Sequence, residues 1–276
     1  MEFAFLGPLT IKSGSLTLSY SGPRNKSLLA ALLLDVNRAV SVDRLIDVVW
    51  DHPPETARQQ VQNRIGRLRT LLARTPGQGI RNAGGGYLLE VREEQVDGLR
   101  FRRLCAEADQ ARRLGELDRA AERLHSGLGL WQGSAFQDVN SLTLRGDVIG
   151  WEEARLNAVE SLVEVEFSRQ RHSSVIVDLH NWVQRYPYHE GLHCRLAEAL
   201  HAGSRTGEAL RVLQQLRLRL TRELGLDACA AVQSLQCRLL RRTPDADEPA
   251  QARAVHLASP NTTRVSRLLG SAIPFA

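Results

Sequence analysis

The segment ETARQQVQNRIGRLRTLL, residues 55–72, is the part of the chain on which every other assignment leans. At 100° per residue, Ala57, Val61, Ile65, Leu68 and Leu72 fall on one narrow stripe, the pattern of a helix docked on a core. The opposite face carries Gln59, Gln62, Asn63, Gly66 and Thr70, with Gln60 and Arg67 on one flank and Arg64 and Arg69 bordering the stripe. That face holds amides and guanidinium groups and no carboxylate, whereas a plain solvated helix mixes Glu with its Arg for intrahelical pairing. Amides and guanidinium forks are the groups that read base edges and hold phosphates in a DNA major groove. The segment therefore reads as a recognition helix.

Charge distribution points the same way. The 276-residue chain carries a net charge of +5, with 43% hydrophobic and 24% charged residues, a composition able to bury a real core and support two domains. Between Glu55 and Arg81 there are six arginines against one glutamate, an excess equal to that of the whole chain. The basicity is thus one cationic surface rather than a diffuse property.

The flanking pattern supplies a frame for that helix. Residues 2–11, EFAFLGPLTI, and 15–20, SLTLSY, read as strands. NKSLLAALLLDVN reads as a buried helix, and Ser41 caps a further one over VDRLIDVVW. Pro53-Pro54 breaks the chain and opens the long helix. IRNAGGGYLLEV, residues 80–91, reads as two short strands around a triple-glycine turn. Strands, three helices and a hairpin make a winged helix-turn-helix whose third helix enters the groove. The alternative is a small α+β domain with an incidental Arg-rich helix.

From Val96-Asp97 onward the pattern is helix after helix. Asp97 is placed to cap the first, and further helices are expected over about 147–170, 173–186, 188–202, 205–224 and 227–242. Gly115 is followed six residues on by Ala121, and Gly203 by Ala209, the tight turn and close approach of helix-hairpin repeats. The expected fold class is mainly α: a small α+β winged helix over residues 1–96, an all-α tetratricopeptide-like domain over 97–242, and a mobile polar tail over 243–276. Cys105, Cys194, Cys229 and Cys237 lack CxxC spacing and read as free thiols of a reducing cytosol. No signal peptide and no membrane-length apolar run is found, so a cytoplasmic, membrane-free protein is expected.

Several of these segments, taken as an ordered set, resemble the Streptomyces antibiotic regulatory protein family: FLGPLTI, GPRNKSLLAALLL, VSVDRLIDVVW, RIGRLR, GGGYLL, VDGLRFRRL, LWQG and HEGLHCRLAEALHAGSRTGEALRVLQQLRLRLTRELGL. The resemblance implies an OmpR-type winged helix joined to a bacterial transcriptional activation domain. It also implies an activator of an antibiotic or other secondary-metabolite gene cluster. Such an activator binds direct repeats near a promoter as a homodimer or side-by-side copies, and recruits RNA polymerase. Carried over position by position, base contacts fall on Gln62, Asn63 and Arg67. Phosphate contacts fall on Gln59, Gln60, Arg64 and Arg69, with Lys26 at the start of the first helix adding another. Wing contacts fall on Arg81, Asn82, Gly85 and Tyr87. The basic residue usual after the wing Gly-Tyr is replaced here by Leu88, and Gly66 stands where relatives carry a larger polar side chain.

His189-Glu190-Gly191-Leu192-His193 satisfies HExxH, which on a helix can hold zinc with the glutamate as general base, Glu208 or His201 completing the set. No downstream motif extends it, and no metal or cofactor is expected. Gly84-Gly85-Gly86 lacks the Lys-Ser/Thr of a phosphate-binding loop, and no nucleophile elbow occurs, so no enzymatic role is expected. Trp131, Trp151 and Trp182 read as core before ligand pocket. QQLRLRLTR, residues 214–222, reads as a solvated basic face or a partner surface. A pure protein-interaction scaffold built on the helical repeats is the other rival.

Overall fold

The computed structural model describes residues 1–73 and 79–241; the tail expected over 243–276 lies outside them. The N-terminal apolar stretch makes β1 (Glu2–Ala4) and β2 (Thr10–Ser13) instead of one strand, and SLTLSY contributes β3 (Leu16–Leu18). The split comes at Gly7-Pro8, where proline offers no amide to a ladder. The sheet is antiparallel in the order β1-β2-β3, with Phe3 opposite Ile11 and Ile11 opposite Leu18.

Helix α1 (Pro23–Leu34) opens on a proline, whose fixed φ suits the first turn, and buries Ser27 through Leu33 without a break. A helix apolar on all sides lies inside, and α1 is the post around which α2 and the wing pack. β4 (Ala39–Ser41) follows, then α2 (Val42–Val49), where the Ser41 hydroxyl accepts from the Arg44 amide at 3.2 Å. α3 (Ala57–Leu72) buries Ala57, Val61, Ile65, Leu68 and Leu72, the stripe given by the helical period. Each of the larger four gains about 1.5–3 kcal/mol from that burial. The helix starts at Ala57 and not at Glu55: Thr56 has no side-chain cap bond, and the Ala57 amide closes a turn on Pro54 at 2.9 Å.

β5 (Gly79–Ala83) and β6 (Gly86–Glu90) form the wing hairpin, and β4 adds to its other edge in the order β4-β6-β5. Gly84 and Gly85 take φ of 56° and 78°, the paired positive values of a two-residue hairpin turn. Gly86 is needed for another reason, since a Cβ there would lie 1.9 Å from the Val40 carbonyl oxygen.

The remaining α-helices are α4 (Asp97–Arg113), α5 (Leu117–Leu128), α6 (Arg145–Ser168), α7 (Ile176–Arg185), α8 (Glu190–Ala202), α9 (Thr206–Arg219) and α10 (Ala230–Leu240). Gly115 turns α4 into α5 at φ 79°, with Ala121 buried beyond it. The second turn is built differently: Gly203 keeps a negative φ of −83°, and Ser204 takes the left-handed position at 60°. Trp131 and Trp151 are buried, while Trp182 is half-buried.

Two apolar clusters fill the molecule. One runs from Phe3 through α1, α2, α3 and the hairpin into α4, α5 and one face of α6 (Trp151, Ala158, Leu162, Val165); the other joins Val159 and Val163 of α6 to α7 through α10. The packing therefore runs across residues 96–97, where strands give way to helices.

Candidate nucleic-acid interface

Docking of α3 through its apolar stripe leaves Gln59, Gln62, Asn63, Gly66, Arg67 and Thr70 exposed on one side. Gln59 donates to the Asn63 side-chain oxygen at 3.3 Å, and the Thr70 hydroxyl bonds back to the Gly66 carbonyl at 3.1 Å. Among the described residues, Gln62 and Arg67 make no hydrogen bond or ion pair. Arg67 and Gln62 are therefore the groups on this face free to take an external partner without breaking an internal one.

The cations bordering the stripe are half-buried and have partners within the molecule. Arg64 donates to the Asn25 side-chain oxygen at 2.6 Å and lies over the Trp50 ring, 5.8 Å from its centroid, with Arg24 on the same ring at 5.7 Å. The Tyr20 hydroxyl donates to the Arg64 carbonyl at 3.2 Å, and burial pushes that phenol up to about 12. Burial likewise lowers the Arg64 guanidinium from its ordinary value. Arg69 donates through Nε to the Ile80 carbonyl at 3.0 Å and through Nη2 to Asn82 at 2.7 Å, and stands over the Tyr87 ring. It ties α3 to the hairpin. Lys26 is ion-paired with Asp138, far along the chain. The phosphate contacts expected of Arg64, Arg69 and Lys26 thus meet side chains already committed within the molecule. Of that set, Gln59 stays exposed, and Gln60 is half-buried and bonded to Thr56 at 3.1 Å.

The wing shows the same division. Arg81 is exposed but paired with Glu90, Asn82 serves Arg69, and Gly85 sits at the exposed tip. Tyr87, expected to reach DNA, is buried beneath Arg69. Tyr20, Asn25 and Trp50, which hold Arg64 in place, carried no signal in the sequence because their partners lie on other elements.

A seam fixes this head to the helices. The Asp97 carboxylate accepts from the Phe5 and Leu6 amides at 3.0 Å as well as from Gly98 at 2.7 Å, so it clamps the strand end besides opening α4. Burial raises its pKa, opposed by those amides. Asp138 accepts from the Leu9 amide at 2.8 Å and from Lys26; burial pulls it upward, but these two partners outweigh that and hold it below the ordinary value. Phe5 stacks on Phe136 at 4.4 Å and meets the Trp151 edge at 5.0 Å. Ser141 and Thr143 donate to the carbonyls of Val48 and Asp47, at the end of α2, at 2.8 and 2.9 Å.

The HExxH string serves the helices. His189 caps α8 by accepting from the Leu192 amide at 3.2 Å, and Glu190 accepts from the Cys229 amide at 2.7 Å. Glu208 is held twice by Arg205 at 2.8 Å, and His201 bonds Thr206. Among the described residues no group of three or more His, Cys, Asp or Glu could hold a metal ion, and no helix is long and apolar enough to cross a membrane.

A winged helix with an acid-free outward face, fused to stacked helix pairs, defines a class: single-chain transcriptional regulators with a DNA-binding head and a helical body. The description Bacterial transcriptional activator domain matches residues 96–240, and Transcriptional regulatory protein, C terminal, matches residues 20–89. Regulatory protein DnrI of Streptomyces peucetius is 32% identical over 257 residues, covering 90% of this chain and 94% of DnrI. Transcriptional regulator RedD of Streptomyces coelicolor is 32% identical over 88% of this chain and 71% of its own. AfsR of Streptomyces griseus is 32% identical, with only 26% of its length spanned. The solved structure of Mycobacterium tuberculosis EmbR in complex with a low affinity phosphopeptide superposes with a TM-score of 0.79 at 27% identity, over 92% of this chain and 69% of that one. The chain belongs to the Streptomyces antibiotic regulatory protein family of transcriptional activators, which are regulators and not enzymes.

Proposed function

We propose that this activator binds repeated promoter sites in the bacterial cytoplasm by laying α3 in the major groove. Gln62, Asn63 and Arg67 then read bases, with Gln59 and Gln60 on phosphates. The observation that carries this reading is Arg67, exposed on an acid-free face and without an internal partner. A free guanidinium there suits a bidentate contact to guanine. The tip at Gly84-Gly85 and Arg81 would follow the adjoining backbone, Arg81 exchanging Glu90 for phosphate. Arg64, Arg69 and Lys26 would act at one remove, by holding α3, the hairpin and the head in position. The unit is residues 1–96 for DNA, and residues 97–242 as the activation part that presents surface to RNA polymerase. Two or more copies would sit side by side on direct repeats as a homodimer on DNA, raising expression of a secondary-metabolite gene cluster.

Footprinting on promoters beside the gene tests this. Protection of direct repeats spaced by one duplex turn, roughly 34–36 Å, or a multiple, is the expected result. Affinity should fall steeply with salt. Equal affinity for scrambled and promoter DNA would remove specific readout from the reading.

A further inference from the structure

Between α7, α8 and α9 lies a cleft of about 340 Å³, within the span of small-molecule sites. Val183 and Leu196 form part of its apolar wall, and His193 and Arg219 line it from two different helices. His193 is only 4% exposed. Its Nδ1 lies 3.0 Å from the His189 carbonyl, and since a carbonyl oxygen only accepts, Nδ1 carries the proton. Burial lowers the imidazole pKa, so the ring is neutral and Nε2 is a bare lone pair. Among the described residues nothing donates to Nε2. The ring is packed into the wall while Nε2 opens into the cleft, where it offers a ligand donor an acceptor.

The second group has the opposite polarity. Arg219 makes no hydrogen bond among the described residues, its ion pair with Glu223 being a loose 3.8 Å from Nε, so its guanidinium donors are available to another acceptor. Glu223 is itself engaged, accepting from the Tyr188 hydroxyl at 2.6 Å. No aspartate or glutamate lines the cleft, and Glu208, near His180 on its edge, is held by Arg205. We propose that this cleft binds a small hydroxyaryl carboxylic acid, its hydroxyl donating to His193 Nε2 and its carboxylate resting on Arg219. The aromatic body then lies against Val183 and Leu196. The site is in the helical half, and stands independently of how the head reads DNA.

The test is calorimetric titration of the full chain with para-hydroxybenzoate and with para-methoxybenzoate, which keeps the acid and loses the donor. The expected result is saturable binding of the hydroxy acid at or below the low-millimolar range. Binding of the methyl ether should be weaker by roughly tenfold or more, as should binding of the hydroxy acid to Arg219→Met and His193→Phe. Should His193→Phe fail to fold, the ether and Arg219→Met, a change at the cleft's rim, decide the matter. No saturable binding, equal binding of the ether, or undiminished binding by Arg219→Met would each overturn the assignment.

Discussion

Arg67 and Arg64 stand one helical turn apart on α3 and put the same guanidinium to different uses. Arg67→Ala should weaken promoter binding and relax choice at one base pair by about 1–3 kcal/mol, with the melting temperature unchanged. Gel shifts across single-base operator variants read this. Arg64→Ala removes the bond to Asn25 and the contact with Trp50, and should cost about 1–2 kcal/mol of folding stability. A thermal melt checks it; wild-type melting with lost affinity would return Arg64 to the phosphate. The outward set on α3 was legible because the helical period sorts side chains by angle. What Arg64 does was not, because Asn25 and Tyr20 lie 39 and 44 residues away in sequence. A wheel drawn for one helix holds no trace of neighbours brought by another.

The wing hairpin is an element whose glycines do separate jobs. Gly84 and Gly85 supply the turn, a reading open to anyone who sees the triplet. Gly86 gives β4 room to approach, so Gly86→Ala pushes a methyl into the Val40 carbonyl and should destabilise the domain by about 1–3 kcal/mol. A lowered urea midpoint is the expected measurement. Three residues, Ala39–Ser41, are too few to show an alternating pattern, which is why β4 and the need for Gly86 escaped the sequence. Arg69→Ala should leave α3 folded but speed amide exchange in β5, since the Ile80 and Asn82 anchors are lost. Unchanged exchange there would show that strand pairing alone holds the hairpin.

At the scale of the molecule, the head shares one apolar cluster with α4, α5 and one face of α6. A fragment ending at residue 96 would bare Phe5 where Phe136 and Trp151 cover it, so it should show poor NMR dispersion, while the full chain stays well resolved. Acid should remove the share of the same seam that Asp138 supplies, while the raised pKa of Asp97 acts in the opposite sense. The Asp138 carboxyl is held below its ordinary value, so its contribution is complete above the unfolded pKa of about 3.9 and is lost as pH falls through the lower folded value. Lys26→Met should shrink that acid-side loss, seen by comparing melts at neutral and low pH. The change from strands to helices near residue 96 was visible in sequence, but the clamps of Asp97 and Asp138 were not, since a lone carboxylate does not announce which distant amides it will hold. Asp97 and Asp138 tie the strands and α1 of the head to the body, so with α3 in the groove as proposed each body would take a set phase around the duplex. Inserting half a helical turn, about 5 base pairs, between two sites should send neighbouring bodies to opposite sides of the duplex and silence the promoter, and a full turn should restore it.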